Sequence, residues 1–324
     1  MDEQRSPESR QQAETRQAET RQPSVVVVGH AARDLVLRAE ALPEPGGSAV
    51  VAERIERLGG KGANIAVGVR QLHPSAAVAL VAVLGDDAPG ESGRREAVAA
   101  GIDVAHVARR GDTALLVDVV TGEGERRLLE HVTPESQLTP ADIDAAEAAL
   151  ADADVVVLQL QQPADALVRA ARIAFEGGAR IVLDGAIEGD ERDELLSVAD
   201  VVRADAEEAA ILTGVEVATR DDARGAAGGL LGRGARVVAL SVPDDGDLVS
   251  WQGGERFLPH VEQRAVDPTG GGDAFVAGIV AGLLLDAEPG RIGEIASRAA
   301  GSTVQRLGGH PELSPAALSP PEQA

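Results

Sequence analysis

The stretch Arg264-Ala-Val-Asp-Pro-Thr-Gly-Gly-Gly-Asp273 runs directly into Ala274-Phe-Val-Ala-Gly-Ile-Val-Ala-Gly-Leu-Leu-Leu285. Three consecutive glycines and an aspartate before an apolar segment predict a tight turn that leads into the N-terminus of a buried helix. Such a turn leaves several backbone N–H groups unpaired at the positive end of the helix dipole, which makes it a ready site for an anion. Because Gly270, Gly271 and Gly272 carry no Cβ, a phosphate could approach their backbone closely.

Asp273 would stand at the start of this helix, beside the bound anion. A carboxylate there is placed to act as a general base if a hydroxyl attacks a phosphorus atom. Aspartate is also a common helix cap, so the turn by itself leaves both interpretations open.

The composition limits the classes of function. The chain has 324 residues, of which 44% are hydrophobic, enough for a sizeable core in one or two domains. Its formal charge of 30 − 53 = −23 is spread along the chain, so the sequence indicates neither a nucleic acid nor a membrane partner. There is no cysteine, which excludes disulfides and thiolate chemistry, and the histidines show no metal-ligand spacing.

Residues 1–23 are polar and contain an Arg-Gln-Ala-Glu-Thr repeat, so we predict a disordered N-terminal tail. They lack the apolar core of a signal peptide, and no apolar run in the chain approaches the length of a membrane span. We therefore expect a cytoplasmic protein.

Lys61 is the single lysine of the chain and lies within Gly59-Gly-Lys-Gly-Ala-Asn64. Since arginine serves at the other Lys/Arg positions, this position is predicted to need a compact ammonium rather than a planar guanidinium. A Walker-type phosphate loop is not indicated, because glycine rather than Ser or Thr follows the lysine.

Apolar runs that are typical of buried strands alternate with helix-compatible segments over most of the chain. Strand alternating with helix predicts an α/β fold with a doubly wound, mainly parallel sheet flanked by helices, whose ligands bind beyond the carboxyl ends of the strands. The predicted strands are 24–29, 77–84, 155–160, 180–183, 200–202 and 236–242. The predicted helices are 62–72, 91–100, 141–151, 164–176, 190–198, 206–213 and 221–232.

Two stretches, 35–58 and 113–131, have strand character without intervening helices. The second contains the turn Gly122-Glu-Gly124 between apolar segments, a hairpin signature. These strands are predicted to form a small β lid over the strand ends, and the alternative is an edge extension of the main sheet. One domain would then span residues 24–311, followed by a Pro-rich C-terminal tail over residues 312–324.

The order of motifs resembles the ribokinase-like (PfkB-type) carbohydrate kinases from about Val25 to Pro311. Gly29-His-Ala-Ala-Arg-Asp34 is similar to that family's first strand and sugar-binding Asp, and Gly59-Gly-Lys-Gly-Ala-Asn64 to its first signature. Val266-Asp-Pro-Thr-Gly-Gly-Gly-Asp273 is similar to the second signature, with its anion hole and catalytic base. Two glycine motifs in the right order are a far stronger signal than either alone.

The resemblance implies transfer of the γ-phosphoryl group of ATP to a primary hydroxyl of a small sugar. Asp273 would take the hydroxyl proton, and the N–H groups of Gly270, Gly271 and Gly272 would hold the developing charge. Sugar hydroxyls would be bound by five side chains or backbone groups beside Asp273. These are Asp34, Gly60, Lys61, Asn64 and Gln161.

The same resemblance implies the nucleotide and cation sites. ATP would contact Gly270 and Gly272 together with Asp205, Ser241 and Gly246. Glu208 would organise Mg²⁺ through its water shell, and Asp267, Thr269 and Gly308 would hold a monovalent cation, usually K⁺. The lid implies a homodimer.

The sequence also departs from the family pattern. Ala32 stands where ribokinases usually carry Asn and Gln161 where they carry Glu, which weakens the case for ribose itself. Ala239-Leu-Ser241 replaces the Thr-Leu-Gly of the nucleotide strand, which leaves a non-catalytic sugar-binding member as one alternative. A nucleoside kinase is the other, although one Trp, three Phe and no Tyr offer little surface to stack a base.

Overall fold

The computed structural model of the protein describes residues 22–122, 126–260, 266–267 and 269–319. Its strands, in chain order, are β1 Ser24–Val28, β2 Ala32–Ala39, β3 Val51–Gly59, β4 Ala77–Leu84, β5 Ile102–Asp103, β6 Val107–Arg109, β7 Leu115–Thr121, β8 Arg126–His131, β9 Val155–Gln159, β10 Arg180–Asp184, β11 Val201–Ala204, β12 Val237–Val242, β13 Gly246–Trp251 and β14 Gly254–Pro259.

The helices cover the sheet that most of these strands form. They are α1 Lys61–Leu72, α2 Ala88–Ala99, α3 Pro140–Ala145, α4 Glu147–Ala151, α5 Ala164–Gly177, α6 Glu191–Ser197, α7 Ala206–Thr213, α8 Arg220–Leu231, α9 Gly271–Leu284 and α10 Pro289–Thr303.

The main sheet has the order β14-β13-β12-β11-β10-β9-β1-β4-β5, with β6 also paired to β4. Strands from β12 through β9 and β1 to β4 run parallel, and β13 and β14 form an antiparallel hairpin at one edge. Val26 and Val28 belong to the apolar core on one face, and Val25 and Val27 to the core on the other. Both faces are therefore buried under helices, which confirms the predicted doubly wound α/β sheet.

A second, four-stranded sheet has the order β3-β2-β7-β8 and pairs with no strand of the main sheet among the described residues. β2 pairs in parallel with β7, and the outer pairs are antiparallel. The predicted separate small sheet is thus confirmed over the edge-extension alternative. The turn residues 123–125 lie outside the described residues.

Several element bounds differ from the predicted ones. The segment predicted as one helix over 141–151 is two short helices, α3 and α4, separated at Ala146. The helix predicted from residue 91 begins at Ala88, because Asp87 caps it by accepting the N–H of Gly90 and Pro89 occupies its first turn. The antiparallel pair β13 and β14 and helix α10 were not predicted.

The structure describes most of the C-terminal segment but little of the N-terminal one. The predicted N-terminal tail over residues 1–23 lies outside the described residues except for its last two positions. At the other end, the Leu313 N–H donates to Gln71 Oε1 of α1 (2.7 Å), and Leu313 and Leu318 pack against the apolar core. Among the described residues, no helix is both long and apolar enough to cross a membrane.

Candidate active site

The glycine turn before α9 has the conformation that an anion site needs. Gly270 is the N-terminal cap of α9 and has a φ of 72°, in the left-handed region, and no side chain caps the helix start. A Cβ on Gly270 would lie 1.8 Å from the carbonyl oxygen of Gly309, so only glycine fits. The N–H groups of the first helical turn are thus left for a ligand.

Asp273 lies in the first turn of α9 but does not cap it, because Gly270 does. Its side chain is only 6% exposed, and Asn64 Nδ2 of α1 donates to its Oδ2 at 2.9 Å. Burial raises the pKa of Asp273 from 3.8 to about 6, with a further contribution from the Asp184 carboxylate. The Asn64 hydrogen bond and the charge of Lys61 act in the opposite direction. A buried carboxylate whose pKa lies near neutrality has the properties of a general base.

A chain of charged side chains continues from this point toward β10, β11 and the start of α7. Lys61 Nζ lies 3.3 Å from Glu208 Oε1, and Arg203 Nη1 lies 3.7 Å from Glu208 Oε2. Arg203 Nη1 also donates to Asp184 Oδ1 at 3.1 Å, and both of these side chains are nearly inaccessible. A Cβ on Gly272 would lie 2.8 Å from Arg203 Nη2, so the guanidinium lies directly against the glycine turn.

The parallel sheet brings these groups together. Asp184 ends β10 and Arg203 lies opposite it near the end of β11, in the same register position. Glu208 is held by a reciprocal cap at the start of α7: the Asp205 carboxylate accepts the Glu208 N–H, and the Glu208 carboxylate accepts the Asp205 N–H, both at 2.8 Å. Carboxyl ends of neighbouring parallel strands share one edge of a sheet, which is where ligands of such folds bind.

These contacts determine the charge states of Lys61 and Glu208. Burial disfavours the ammonium form of Lys61, but nearby carboxylates, those of Asp184 and Glu208 first, outweigh it and raise its pKa. Burial alone would raise the pKa of Glu208, yet Lys61 and Arg203 hold it below its usual value. Lys61, Arg203 and Glu208 are therefore charged at neutral pH, whereas burial raises the pKa of Asp184. Of the two cations, Arg203 lies against the glycine turn.

Polar atoms without partners mark the neighbouring side of the site. His30 Nε2, Asp34 Oδ1, Asn64 Oδ1 and both amide atoms of Gln159 are buried and have no hydrogen-bond partner among the described residues. Gln159 ends β9, and His30 follows β1; the backbone carbonyl of His30 accepts the Ala63 N–H at the start of α1 (3.2 Å). Buried polar atoms are normally paired, so these atoms are free to pair with water or with a polar ligand.

Asp34 lies on β2 of the small sheet, directly opposite Arg57 of β3. Its carboxylate lies against the Gly59 Cα, where a Cβ would be 1.9 Å from Asp34 Cγ. Burial, with the charges of Asp118 and Asp273, raises the pKa of Asp34 to about 7, while Arg57 and the Gly60 N–H oppose the rise.

Three predicted residues lie at the margin of this arrangement. Gln161 is exposed on the loop after β9, whereas the next residue, Gln162, is buried and accepts the Leu138 N–H at 3.0 Å. Ser241 Oγ donates to Asp247 Oδ1 at 2.7 Å, and Gly246 begins β13 in the antiparallel hairpin. Ser241 lies on β12, which is the neighbour of β11, and Gly246 lies on the next strand, β13. The Asp247 carboxylate on β13 interacts electrostatically with Arg203 of β11.

The residues predicted to bind cations are placed as follows. Asp267 is fully buried; its Oδ1 accepts the Thr269 N–H (2.9 Å) and its Oδ2 accepts the Gly308 N–H (2.7 Å). In the part of the chain that the structure describes, no group of three or more His, Asp or Glu side chains is placed to hold a metal ion. The buried, unpartnered Asp184 Oδ2 and the Glu208 carboxylate are oxygens of the kind that a divalent ion takes as ligands, directly or through water.

Sequence reasoning missed five side chains of this site: His30, Arg57, Gln159, Asp184 and Arg203. Asp184 directly follows a predicted strand, and Gln159 is a polar residue within an apolar one, so both carried a detectable signal. Arg57 and Arg203 are two among many arginines, and nothing in the sequence distinguishes them as site residues.

A buried base beside a glycine-turn anion site, at the carboxyl edge of a doubly wound sheet, defines the class as a phosphotransferase that acts on a hydroxyl. The sequence matches the pfkB family of carbohydrate kinases over residues 22–316.

Similar proteins include a ribokinase from Haemophilus influenzae, 31% identical over 81% of this chain and 85% of the relative. An ATP-dependent ribose-1-phosphate kinase from Halopiger xanaduensis is 32% identical over 88% of this chain and 93% of the relative. The structure of an Arabidopsis thaliana ribokinase complexed with ribose and ATP has a TM-score of 0.74 and 23% identity, over 91% of this chain and 97% of the other, and supports the fold alone.

The chain therefore belongs to the pfkB family of carbohydrate kinases and is an ATP-dependent carbohydrate kinase. Kinases of this family use ATP with a divalent metal ion.

Proposed function

We propose that this protein transfers the γ-phosphoryl group of ATP to a primary hydroxyl of a small sugar, ribose or a related pentose or hexose. The observation that carries the proposal is the hydrogen bond between Asn64 and Asp273. It places the buried base, which adjoins the uncapped turn at Gly270, next to a set of unpartnered polar atoms suited to sugar hydroxyls.

The roles follow from the chemistry of each group. Asp273 accepts the proton of the attacking hydroxyl, which is favourable because its pKa lies near that of a base working at neutral pH. The N–H groups of the turn at Gly270, Gly271 and Gly272 stabilise the charge that develops on the transferred phosphoryl group. Arg203, lying against Gly272, adds a fixed positive charge on the same side.

The sugar subsite combines donors and acceptors. Asp34 accepts, Lys61 donates, and Asn64 does both, as befits a ligand whose hydroxyls are donor and acceptor at once. The Gly60 N–H lies beside Asp34, and Gln159 and His30 extend the set beyond the predicted residues. Gln161 is exposed on the loop after β9, and it would join this subsite only once a sugar is bound.

The nucleotide would lie along the other side of α9, between Asp205, Ser241 and Gly246. Its divalent ion would be Mg²⁺, held through water by Glu208, and would balance the charge of the phosphate oxygens. Polyols rather than bases are favoured as acceptors, because the four aromatic residues of the chain, Trp251, Phe175, Phe257 and Phe275, are absent from the described sugar subsite.

The test is ATP-to-ADP turnover with Mg²⁺ against pentoses, hexoses, sugar phosphates and nucleosides, with Asp273→Asn as the decisive variant and the exposed Asp221→Asn as its matched control. We expect turnover on one class of sugar, a loss of at least about 100-fold in Asp273→Asn with sugar affinity nearly unchanged, and no loss in Asp221→Asn.

Thermal unfolding shows whether the variant is folded. Because burial raises the pKa of Asp273 from 3.8 to about 6, its ionisation costs the folded state about 3 kcal/mol at neutral pH, at 1.36 kcal/mol per pH unit. The variant should therefore unfold at a higher temperature than the wild type above pH 6, and the difference should vanish near pH 4.

Two outcomes would count against the proposal. If Asp273→Asn loses sugar binding together with turnover, Asp273 is a substrate ligand rather than the base. If no compound is phosphorylated and calorimetry detects no ATP binding, the non-catalytic sugar-binding alternative replaces the proposal. Restoration of ATP binding by Ser241→Gly would then show that the altered strand from Ala239 to Ser241 blocks the nucleotide.

A further inference from the structure

The predicted monovalent-cation site is already supplied with hydrogen bonds. Both carboxylate oxygens of Asp267 accept a backbone N–H, from Thr269 and from Gly308. Asp267 thus fastens the loop that holds Gly308 to the turn that precedes α9. A monovalent cation instead needs a ring of oxygens that turn their lone pairs inward in place of its hydration shell.

The carbonyl oxygens of that loop are also taken, by a cationic side chain. Arg57 Nη2 donates to the carbonyl of Gly308 at 2.6 Å and to that of Leu307 at 3.3 Å. Gly308 has a φ of +82°, and a Cβ there would lie 2.8 Å from the same nitrogen. The guanidinium therefore rests directly on the loop, at a residue without a side chain.

The Arg57 guanidinium supplies one positive charge among several carboxylates. The carboxylates of Asp34, Glu312, Glu96 and Asp267 all act on its guanidinium. Arginine stays ionised under these conditions, so the positive charge is permanent. A second cation bound to the same carbonyls would be repelled at close range, in a partly buried setting where screening is weak. Of the predicted ligands, the Thr269 side chain keeps a buried hydroxyl without a partner among the described residues. This hydroxyl and the predicted Thr269 carbonyl are two neutral oxygens, fewer than the ring of oxygens that a monovalent cation needs.

The loop under Arg57 supports the anion site. The Gly309 carbonyl oxygen would be 1.8 Å from a Cβ on Gly270, and a Cβ on Gly309 would be 3.1 Å from the Gly270 nitrogen. Backbone of residues 308–309 therefore packs against the turn whose N–H groups face the phosphoryl group. A group that holds this loop in place, as Arg57 does, therefore also supports that turn.

We propose that the Arg57 guanidinium takes the place of the monovalent cation beside the anion site, so that phosphoryl transfer by this protein needs no K⁺. The inference rests on the proposed kinase function, and it proposes the Arg57 guanidinium in place of the cation expected at Asp267, Thr269 and Gly308. It also makes β3 of the small sheet, which carries Arg57, a direct support of the catalytic turn.

The experiment compares KCl with choline chloride at equal ionic strength, for the wild type, Arg57→Ala, Arg57→Gln and the control Arg54→Ala on the same strand, whose side chain is exposed. We expect the turnover of the wild type and of Arg54→Ala to differ by less than about twofold between the two salts. Arg57→Ala should lose activity by at least about tenfold in choline chloride, and K⁺ or guanidinium ions should restore it.

A second readout does not depend on catalysis. The thermal unfolding midpoint of the wild type should be the same in both salts, and that of Arg57→Ala should be higher in KCl. If no sugar is phosphorylated in any salt but the unfolding midpoints follow this pattern, the proposed function fails and the inference about Arg57 stands.

The opposite results would overturn it. Activation or stabilisation of the wild type by K⁺ beyond choline would show that a cation site exists despite Arg57. Folded Arg57 variants that gain neither activity nor stability from K⁺ would show that Arg57 does not occupy such a site. Arg57→Gln, which keeps a donor for the Gly308 carbonyl but removes the charge, decides the matter if Arg57→Ala does not fold.

Discussion

Asp34 and Asp273 lie in the same site, and each has a pKa that is raised toward neutral pH. The pKa of Asp273 is raised to about 6 and that of Asp34 to about 7, in both cases first by burial and then by other carboxylates. For a base this is useful, since a carboxylate of ordinary pKa holds a proton too weakly to assist transfer at neutral pH. The Asn64 hydrogen bond limits the rise in the pKa of Asp273, together with the charges of Lys61 and Arg203.

We expect kcat/KM to fall by about tenfold per pH unit below about pH 6, because protonated Asp273 cannot accept the hydroxyl proton. Asn64 donates to the ionised carboxylate and so lowers its pKa. Asn64→Ala should therefore move this acid limb to higher pH, measured as kcat/KM against pH.

Gln71→Ala is the control, since Gln71 lies on the same helix but binds the C-terminal segment. Its acid limb should stay where that of the wild type lies. If the limb of Asn64→Ala also stays in place, and lies nearer pH 7 than pH 6, it reports the ionisation of Asp34 instead.

At this scale the sequence predicted the residues that lie in glycine motifs, because such motifs fix both the backbone and the position of their polar side chains. Asn64, Lys61 and Asp273 are placed in one connected site. Arg57 and Arg203 could not be foreseen, because their contacts depend on the pairing of β2 with β3 and of β10 with β11. An isolated arginine gives no indication of which strand lies opposite.

The element that the site depends on most is the turn into α9. Gly270→Ala would force a left-handed φ of 72° on a residue with a Cβ and press that Cβ against the Gly309 carbonyl. We expect the turn to open, with turnover lowered by at least about 100-fold and the unfolding midpoint lowered as well. Turnover and thermal unfolding measure the two effects.

Three glycines of α8 provide the matched controls. Gly225, Gly228 and Gly229 are exposed, and a Cβ on any of them meets no atom within 4 Å. Each Gly→Ala change there should raise the free energy of unfolding by about 0.5–1 kcal/mol through helix propensity, with turnover unchanged. Equal turnover in Gly270→Ala and Gly228→Ala would mean that the turn does not form the anion site.

The alternation of strands and helices was predictable because each buried parallel strand is a continuous apolar run between polar turns. The separation of α3 from α4 was not, since the Ala-rich segment 141–151 suits one helix as well as two. The hairpin of β13 and β14 escaped prediction because it breaks the strand–helix alternation at the edge of the sheet, where antiparallel pairing replaces the crossover helix.

On the scale of the whole molecule, the small sheet is the least covered part. Successive residues of a strand point to opposite faces, yet both Leu128 and Leu129 of the edge strand β8 are exposed, at 38% and 63%. Val51 of the opposite edge strand, β3, is 44% exposed. An uncovered sheet with apolar side chains at both edges invites pairing with another chain.

We therefore predict that the protein is a homodimer in which the small sheets of two chains pack together over the sugar subsites. Sedimentation velocity at micromolar concentration should give the mass of two chains. Leu129→Glu should give one chain and raise the sugar KM, because Asp34 and Arg57 belong to the sheet that loses its support. Phe175→Glu is the control, since Phe175 is similarly exposed, at 59%, but lies on α5, away from the small sheet. A wild type that sediments as one chain would refute the prediction, and a Leu129→Glu variant that stays dimeric would move the interface to another surface.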